Sequence, residues 1–166
     1  LSISTTIEEA LLANRIAYLG SAVLPLAMLM IIKNHCNVRF NKFLTSGFIL
    51  TSIVVFLIAA SPGYLDIYYK SVSLDTINGA TVLIKEYGSW HCVYLFYLLT
   101  YFSTMIGTIT YSIIKRKLNT AIRAIILASA VFMNIGVWML EQIVRIDFEI
   151  LSVSYIITEL FLLSLH

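Results

Sequence analysis

Apolar residues run along this chain in five long blocks separated by short polar segments. A bilayer core about 30 Å thick takes roughly 20 mostly apolar residues in a helix, and each block meets that length. The first block extends from about Ile7 to Ile32, the second from Phe43 to Ser61 and the third from Trp90 to Ile114. The fourth covers Thr120 to Ile143 and the fifth Phe148 to His166. Thr6-Ile7-Glu8-Glu9 opens the first as a capping-box pattern, with carboxylates at the positive end of the helix dipole. Gly20 and Pro25 lie inside that helix, where a membrane setting tolerates both, and Pro25 is expected to kink it. Pro62-Gly63 ends the second.

The segment 62–89 breaks the pattern. Tyr68–Leu74 and Thr81–Tyr87 are β-prone runs flanking a turn that contains Asn78-Gly79, a strong short-range hairpin signal. A bare two-stranded hairpin is marginal in water, so this one is expected to rest on the helices or on lipid headgroups. Tyr87, Trp90 and Tyr94 suit an aromatic belt at the interface. The expected architecture is an all-α polytopic transmembrane bundle of five helices with a small extracytoplasmic β-hairpin inserted at 62–89.

Composition supports lipid as the solvent. Hydrophobic residues make up 60% of the 166 and charged residues 12%, about half of what a soluble domain uses to cover its surface. Mean hydropathy is +0.91. Charge then orients the bundle. Lys33, Arg39 and Lys42 lie between helices one and two, and Lys115, Arg116, Lys117 and Arg123 between three and four, with no acid in either connection. By the positive-inside rule these connections face the cytoplasm, so the chain starts outside, the hairpin lies outside and the last helix exits inward. The net charge of +2 is too small to argue for nucleic acid. Cys36 and Cys92 fall on opposite sides of the membrane in this threading, which argues against a disulfide. No signal peptide, phosphate-binding glycine loop, HExxH or GxSxG motif occurs.

Candidate functional residues are polar groups within the spans, where each needs a partner. Glu159 lies eleven residues beyond Phe148, about 16 Å deep. It shares a helix face with Ser152, Tyr155 and His166. A ligand or switch role competes with a plainer one, a neutral carboxyl bonding a neighbouring helix. Asn134, Trp138, Glu141 and Arg145 form a stripe on the fourth helix, where Glu141 and Arg145 suit an ion pair at the helix end and Asn134 a bond across helices. Arg15 either snorkels outward or shares a polar cavity with Glu141. Tyr94, Tyr97, Tyr101, Thr104, Thr108 and Tyr111 line the third helix as a helix–helix seam or, less simply, a ligand wall. The adjacent pairs His35-Cys36 and His91-Cys92 chelate poorly because neighbouring helical side chains diverge by about 100°. No metal or other cofactor is expected.

Several phrases together resemble the seven-helix N-terminal sensor region of bacterial membrane histidine kinases, which also heads some diguanylate cyclases. Ile7-Glu8-Glu9-Ala10-Leu11-Leu12-Ala13-Asn14-Arg15-Ile16-Ala17-Tyr18-Leu19-Gly20, with Leu24-Pro25, is similar to the start of that region's third helix. Glu86-Tyr87-Gly88-Ser89-Trp90-His91 looks like the start of its fifth, and Asp147-Phe148-Glu149-Ile150-Leu151-Ser152-Val153-Ser154-Tyr155 like the start of its seventh. The resemblance implies helices three to seven, two more helices upstream and a cytoplasmic output domain downstream. It implies a bacterial inner-membrane location and a non-catalytic sensor or anchor that relays an extracytoplasmic or membrane signal. Expected partners are the lipid bilayer, an unknown small ligand or membrane signal, and a second copy in a homodimer. It supplies no binding residues. A fragment of a proton-coupled small-molecule transporter, with Glu159, Asn134 and Arg15 on its path, is the alternative. It lacks the paired interrupted helices such folds show. An intramembrane enzyme lacks a nucleophile beside a base on one face.

Overall fold

The computed structural model describes residues 6–77, 80–116, 121–144 and 150–164. Five helices and one hairpin follow the expected order: α1 (Ile7–His35), α2 (Lys42–Ala59), β1 (Tyr69–Ile77), β2 (Ala80–Tyr87), α3 (His91–Ile114), α4 (Ala121–Val144) and α5 (Ile150–Ser164). Thr6 caps α1 as its pattern predicts, its hydroxyl accepting from the Glu9 N–H at 3.2 Å. The helix runs one turn past the expected Ile32. Lys33 and His35 suit the negative end of the dipole, and the stop comes from Asn37 in the left-handed region (φ 50°). There the Asn37 N–H reaches Asn34 O at 3.0 Å and the Val38 N–H reaches Lys33 O at 3.1 Å, the paired bonds of a Schellman cap.

α1, α2 and α3 are each long and apolar enough to cross a membrane. α4 carries a shorter apolar stretch, Ile125–Leu140, and α5 another, Ser152–Leu163. The fifteen described residues of α5 span about 22 Å. Large apolar side chains such as Leu50, Leu57, Phe96, Ile125 and Leu160 face outward, which is the surface of a protein dissolved in lipid. α1 is the hub: it packs on α2, α3 and α5, and α4 packs on α3 and α5. The main core gathers Met28, Leu29 and Ile32 of α1, Leu98, Tyr101 and Met105 of α3, Val131 of α4, and Tyr155 and Leu162 of α5.

β1 and β2 pair antiparallel from Ile77↔Ala80 to Tyr69↔Tyr87, with a bulge between Tyr69 and Ser71. Asn78 and Gly79 lie outside the described residues. The hairpin rests on α1, as its marginal stability requires: Leu83 is buried with Ala10 and Leu11, and the Lys85 ammonium donates to Asn14 Oδ1 at 2.9 Å. At its base Tyr68 and Tyr69 bury against Ala59 and Tyr18. Tyr87 and Trp90 are exposed as a belt would be, but Tyr94 turns inward, edge-on to Tyr18 at 5.9 Å. Its place on α3 points it at α1 rather than at headgroups.

Candidate functional site

Pro25 organises the centre of the bundle. It has no N–H, so Ser21 O loses the donor that a regular helix supplies four residues on. The third helix supplies hydroxyls here: that of Tyr94 approaches the freed Ser21 O at 3.5 Å, and that of Tyr97 donates to the next carbonyl, Ala22 O. Tyr101 donates to Phe48 O of α2 at 2.7 Å. Ser52 of α2 then bridges the two tyrosine oxygens, 2.8 Å from Tyr101 and 3.1 Å from Tyr97. Both phenolic protons are already committed to carbonyls, so Ser52 has one proton for two acceptors and the shorter contact takes it. The tyrosine stripe is a helix–helix seam in its upper half. Thr104 and Thr108 bond back to their own helix.

Below Pro25, α4 and α5 bring polar side chains onto α1 around Met28, which is fully buried. Asn134 Nδ2 lies 2.9 Å from Ala130 O, 3.2 Å from Thr158 Oγ1 and 3.7 Å from Met28 Sδ. Thr158 in turn donates to Ser154 O at 2.7 Å. The Glu159 carboxyl faces the Met28 backbone N–H. Tyr155 stacks on Phe102 with centroids 6.3 Å apart, and its hydroxyl faces Tyr94, Tyr97 and Glu159. One turn above, Ser152 and Ser21 hydroxyls meet at 3.1 Å. Four buried atoms here have no hydrogen bond: Asn134 Oδ1, Ser154 Oγ, Tyr155 Oη and Glu159 Oε1. A carboxyl and a phenol with spare bonding capacity, both on α5, can take up a proton or a donor or re-pair when α5 shifts. No group of three potential metal ligands occurs among the described residues.

The outer end holds a separate constellation. Arg15 Nε donates to Ala60 O at 3.2 Å and Nη2 to Pro62 O at 2.9 Å, with the guanidinium 4.5 Å over the Tyr64 ring. It thus ties off carbonyls at the end of α2, where backbone acceptors would otherwise be unpaired. Gly63 turns there with φ +89°, and a Cβ would meet Leu11 Cδ1 at 2.9 Å. His91 stacks on Tyr87 at 3.9 Å beside Tyr68.

A family model described as the N-terminal 7TM region of histidine kinase matches residues 1–165. The chain belongs to that family. No curated protein and no solved structure matches it significantly. The histidine-kinase 7TM region is a membrane sensor module, and in this member Glu159 and Asn134 come together at Met28 of α1, with Tyr155 beside Glu159 against α3. Arg15 does not join them: thirteen residues separate it from Met28 along α1, about 20 Å. The side chain of Glu141 and the whole of Arg145 lie outside the described residues. Sequence reading passed over Met28, Ser52, Thr158 and Tyr18. Thr158 alone had a visible signal, a hydroxyl beside Glu159 with apolar residues on both sides, Ile156-Ile157 and Leu160–Leu163.

Proposed function

We propose that this 7TM region senses an extracytoplasmic or membrane signal in the bacterial inner membrane and relays it through α5 to a cytoplasmic histidine kinase. The N-terminal end and hairpin lie outside, and α5 leads inward, on the strength of the two acid-free basic connections. One observation carries the reading: the last helix meets the Pro25-interrupted hub through Ser152 and Glu159, and Glu159 and its neighbour Tyr155 both keep unpaired buried atoms. A packing that leaves such atoms unpaired is a state a small shift can exchange for another. The signal is a small ligand or a change in the membrane, and Glu159 takes part as a switch whose pairing differs between the two states. The test is autophosphorylation by the full-length protein in proteoliposomes at external pH 5 to 8. Glu159→Gln keeps the bonding shape without ever ionising, and it should fix output high or low across that range. Output and pH response equal to wild type would reduce Glu159 to packing.

A further inference from the structure

A groove of about 760 Å³ opens at the basic end of the bundle, away from the α5 site. Asn37, Arg39 and Phe40 of the α1–α2 connection form one wall, and Thr104, Gly107 and Tyr111 of α3 the other. A second hollow of about 470 Å³ shares Thr104 and continues along α3 to Phe96 and Leu99. From Tyr111 to Phe96 is fifteen residues of helix, about 22 Å, somewhat more than the half-thickness of the hydrocarbon core. The floor is open: a Cβ on Gly107 would meet nothing within 4 Å. The polar end is cationic. Arg39 is exposed and has no partner among the described residues, and Lys42, Lys115 and Arg116 are exposed nearby in sequence on the same connections. Lys33, by contrast, is engaged over the Phe40 ring at 5.5 Å. Along the cleft the hydroxyls of Thr100, Thr104 and Thr108 are spent on carbonyls of their own helix, so the charge stands at its mouth, and basic pockets between membrane helices recognise anionic lipid headgroups.

We propose that this groove binds one anionic phospholipid, its phosphate against Arg39 and an acyl chain lying along α3 from Gly107 toward Phe96. The occupant covers Thr100, Ser103 and Gly107, the exposed positions of α3 along this cleft. The experiment uses delipidated full-length protein titrated with dioleoyl phosphatidylglycerol or dioleoyl phosphatidylcholine and read by native mass spectrometry. Phosphatidylglycerol should be retained in preference. Arg39→Gln should weaken it about fivefold, the worth of one cation near a lipid surface. Gly107→Leu, whose Cβ enters open space and whose side chain extends into the floor, should abolish retention while leaving the circular dichroism unchanged. Lys70→Gln, the same charge loss on the exposed hairpin, should have no effect. Equal weakening by Arg39→Gln and Lys70→Gln would mean diffuse attraction and overturn the site. So would retention in Gly107→Leu, displacement of the lipid by millimolar inorganic phosphate, or a change of oligomeric state in Gly107→Leu in place of lipid loss.

Discussion

Replacing Asn134 by Leu should make this bundle more stable, even though Asn134 is fully buried and bonded across helices. The side chain is 0% exposed, and its Nδ2 holds the one bond that crosses to α5, to Thr158 at 3.2 Å. Interhelical bonds of this kind average about 0.6 kcal/mol in membranes. Against that stands Oδ1, buried without a partner, and an unpaired buried acceptor costs about 1–3 kcal/mol. The partners left behind are not stranded: Thr158 still donates to Ser154 O at 2.7 Å, and Ala130 O keeps the N–H of residue 134 in the helix ladder. Leu matches Asn closely in shape, so no void opens. The balance favours Leu by about 1 kcal/mol, whereas Asn134→Ala leaves a cavity and should cost about 2 kcal/mol. Reversible unfolding in mixed detergent micelles, followed by far-ultraviolet circular dichroism, measures both. A Leu variant less stable than wild type by 1 kcal/mol or more would show that the polar cluster is net stabilising, and the argument for a poised α5 would lose its basis.

Three other outcomes follow from the same structure. A double-mutant cycle between Ser52→Ala and Tyr97→Phe should give a coupling of about 0.6 kcal/mol in the same unfolding assay; Ser52→Ala with Tyr101→Phe should couple more strongly, because that contact is shorter, and the reverse order would contradict the proton assignment. Gly63→Ala should destabilise by at least 1 kcal/mol, since Ala at positive φ is strained and its Cβ crowds Leu11; an unchanged midpoint would refute the tight turn under Arg15. Single cysteines at Ser73 should react with an impermeant thiol reagent in intact cells while those at Asn41 should not, and labelling at Asn41 would invert the proposed orientation.

The helices were legible because lipid imposes one simple demand, long apolar runs, and the hairpin because Asn78-Gly79 sits between β-prone runs. The contacts among them were less legible. Arg15 reads alone as a membrane arginine reaching for headgroups, yet its partners are carbonyls 45 and 47 residues away. A carbonyl leaves no mark in a sequence. Pro25 announced a kink, but which helix would supply hydroxyls to the freed carbonyl depends on which face of α1 meets α3, and the nearly uniform apolarity of α1 hides that face. The α5 stripe was different: Ser152, Tyr155 and Glu159 share one face of a largely apolar helix, so their spacing placed them inward, and Ser21 receives Ser152 while Met28 receives Glu159. Tyr94 went astray as a belt residue because aromatic position near a helix start does not distinguish an interfacial ring from an inward one.

The central claim is that α5 occupies two positions on α1 and that Glu159 biases them. At the basic end the two helices are joined where His35 Nε2 lies 3.1 Å from Leu162 O, so their separation there reports the shift. Spin labels at Asn34 and Leu163, both exposed, in full-length protein with Cys36 and Cys92 replaced, give that distance by pulsed electron resonance in lipid nanodiscs. The account predicts that Glu159→Gln moves the mean separation by about 1–2 Å, the size of helix shifts in switching proteins, and narrows the distribution to one component. Superimposable distributions for wild type and Glu159→Gln would contradict it.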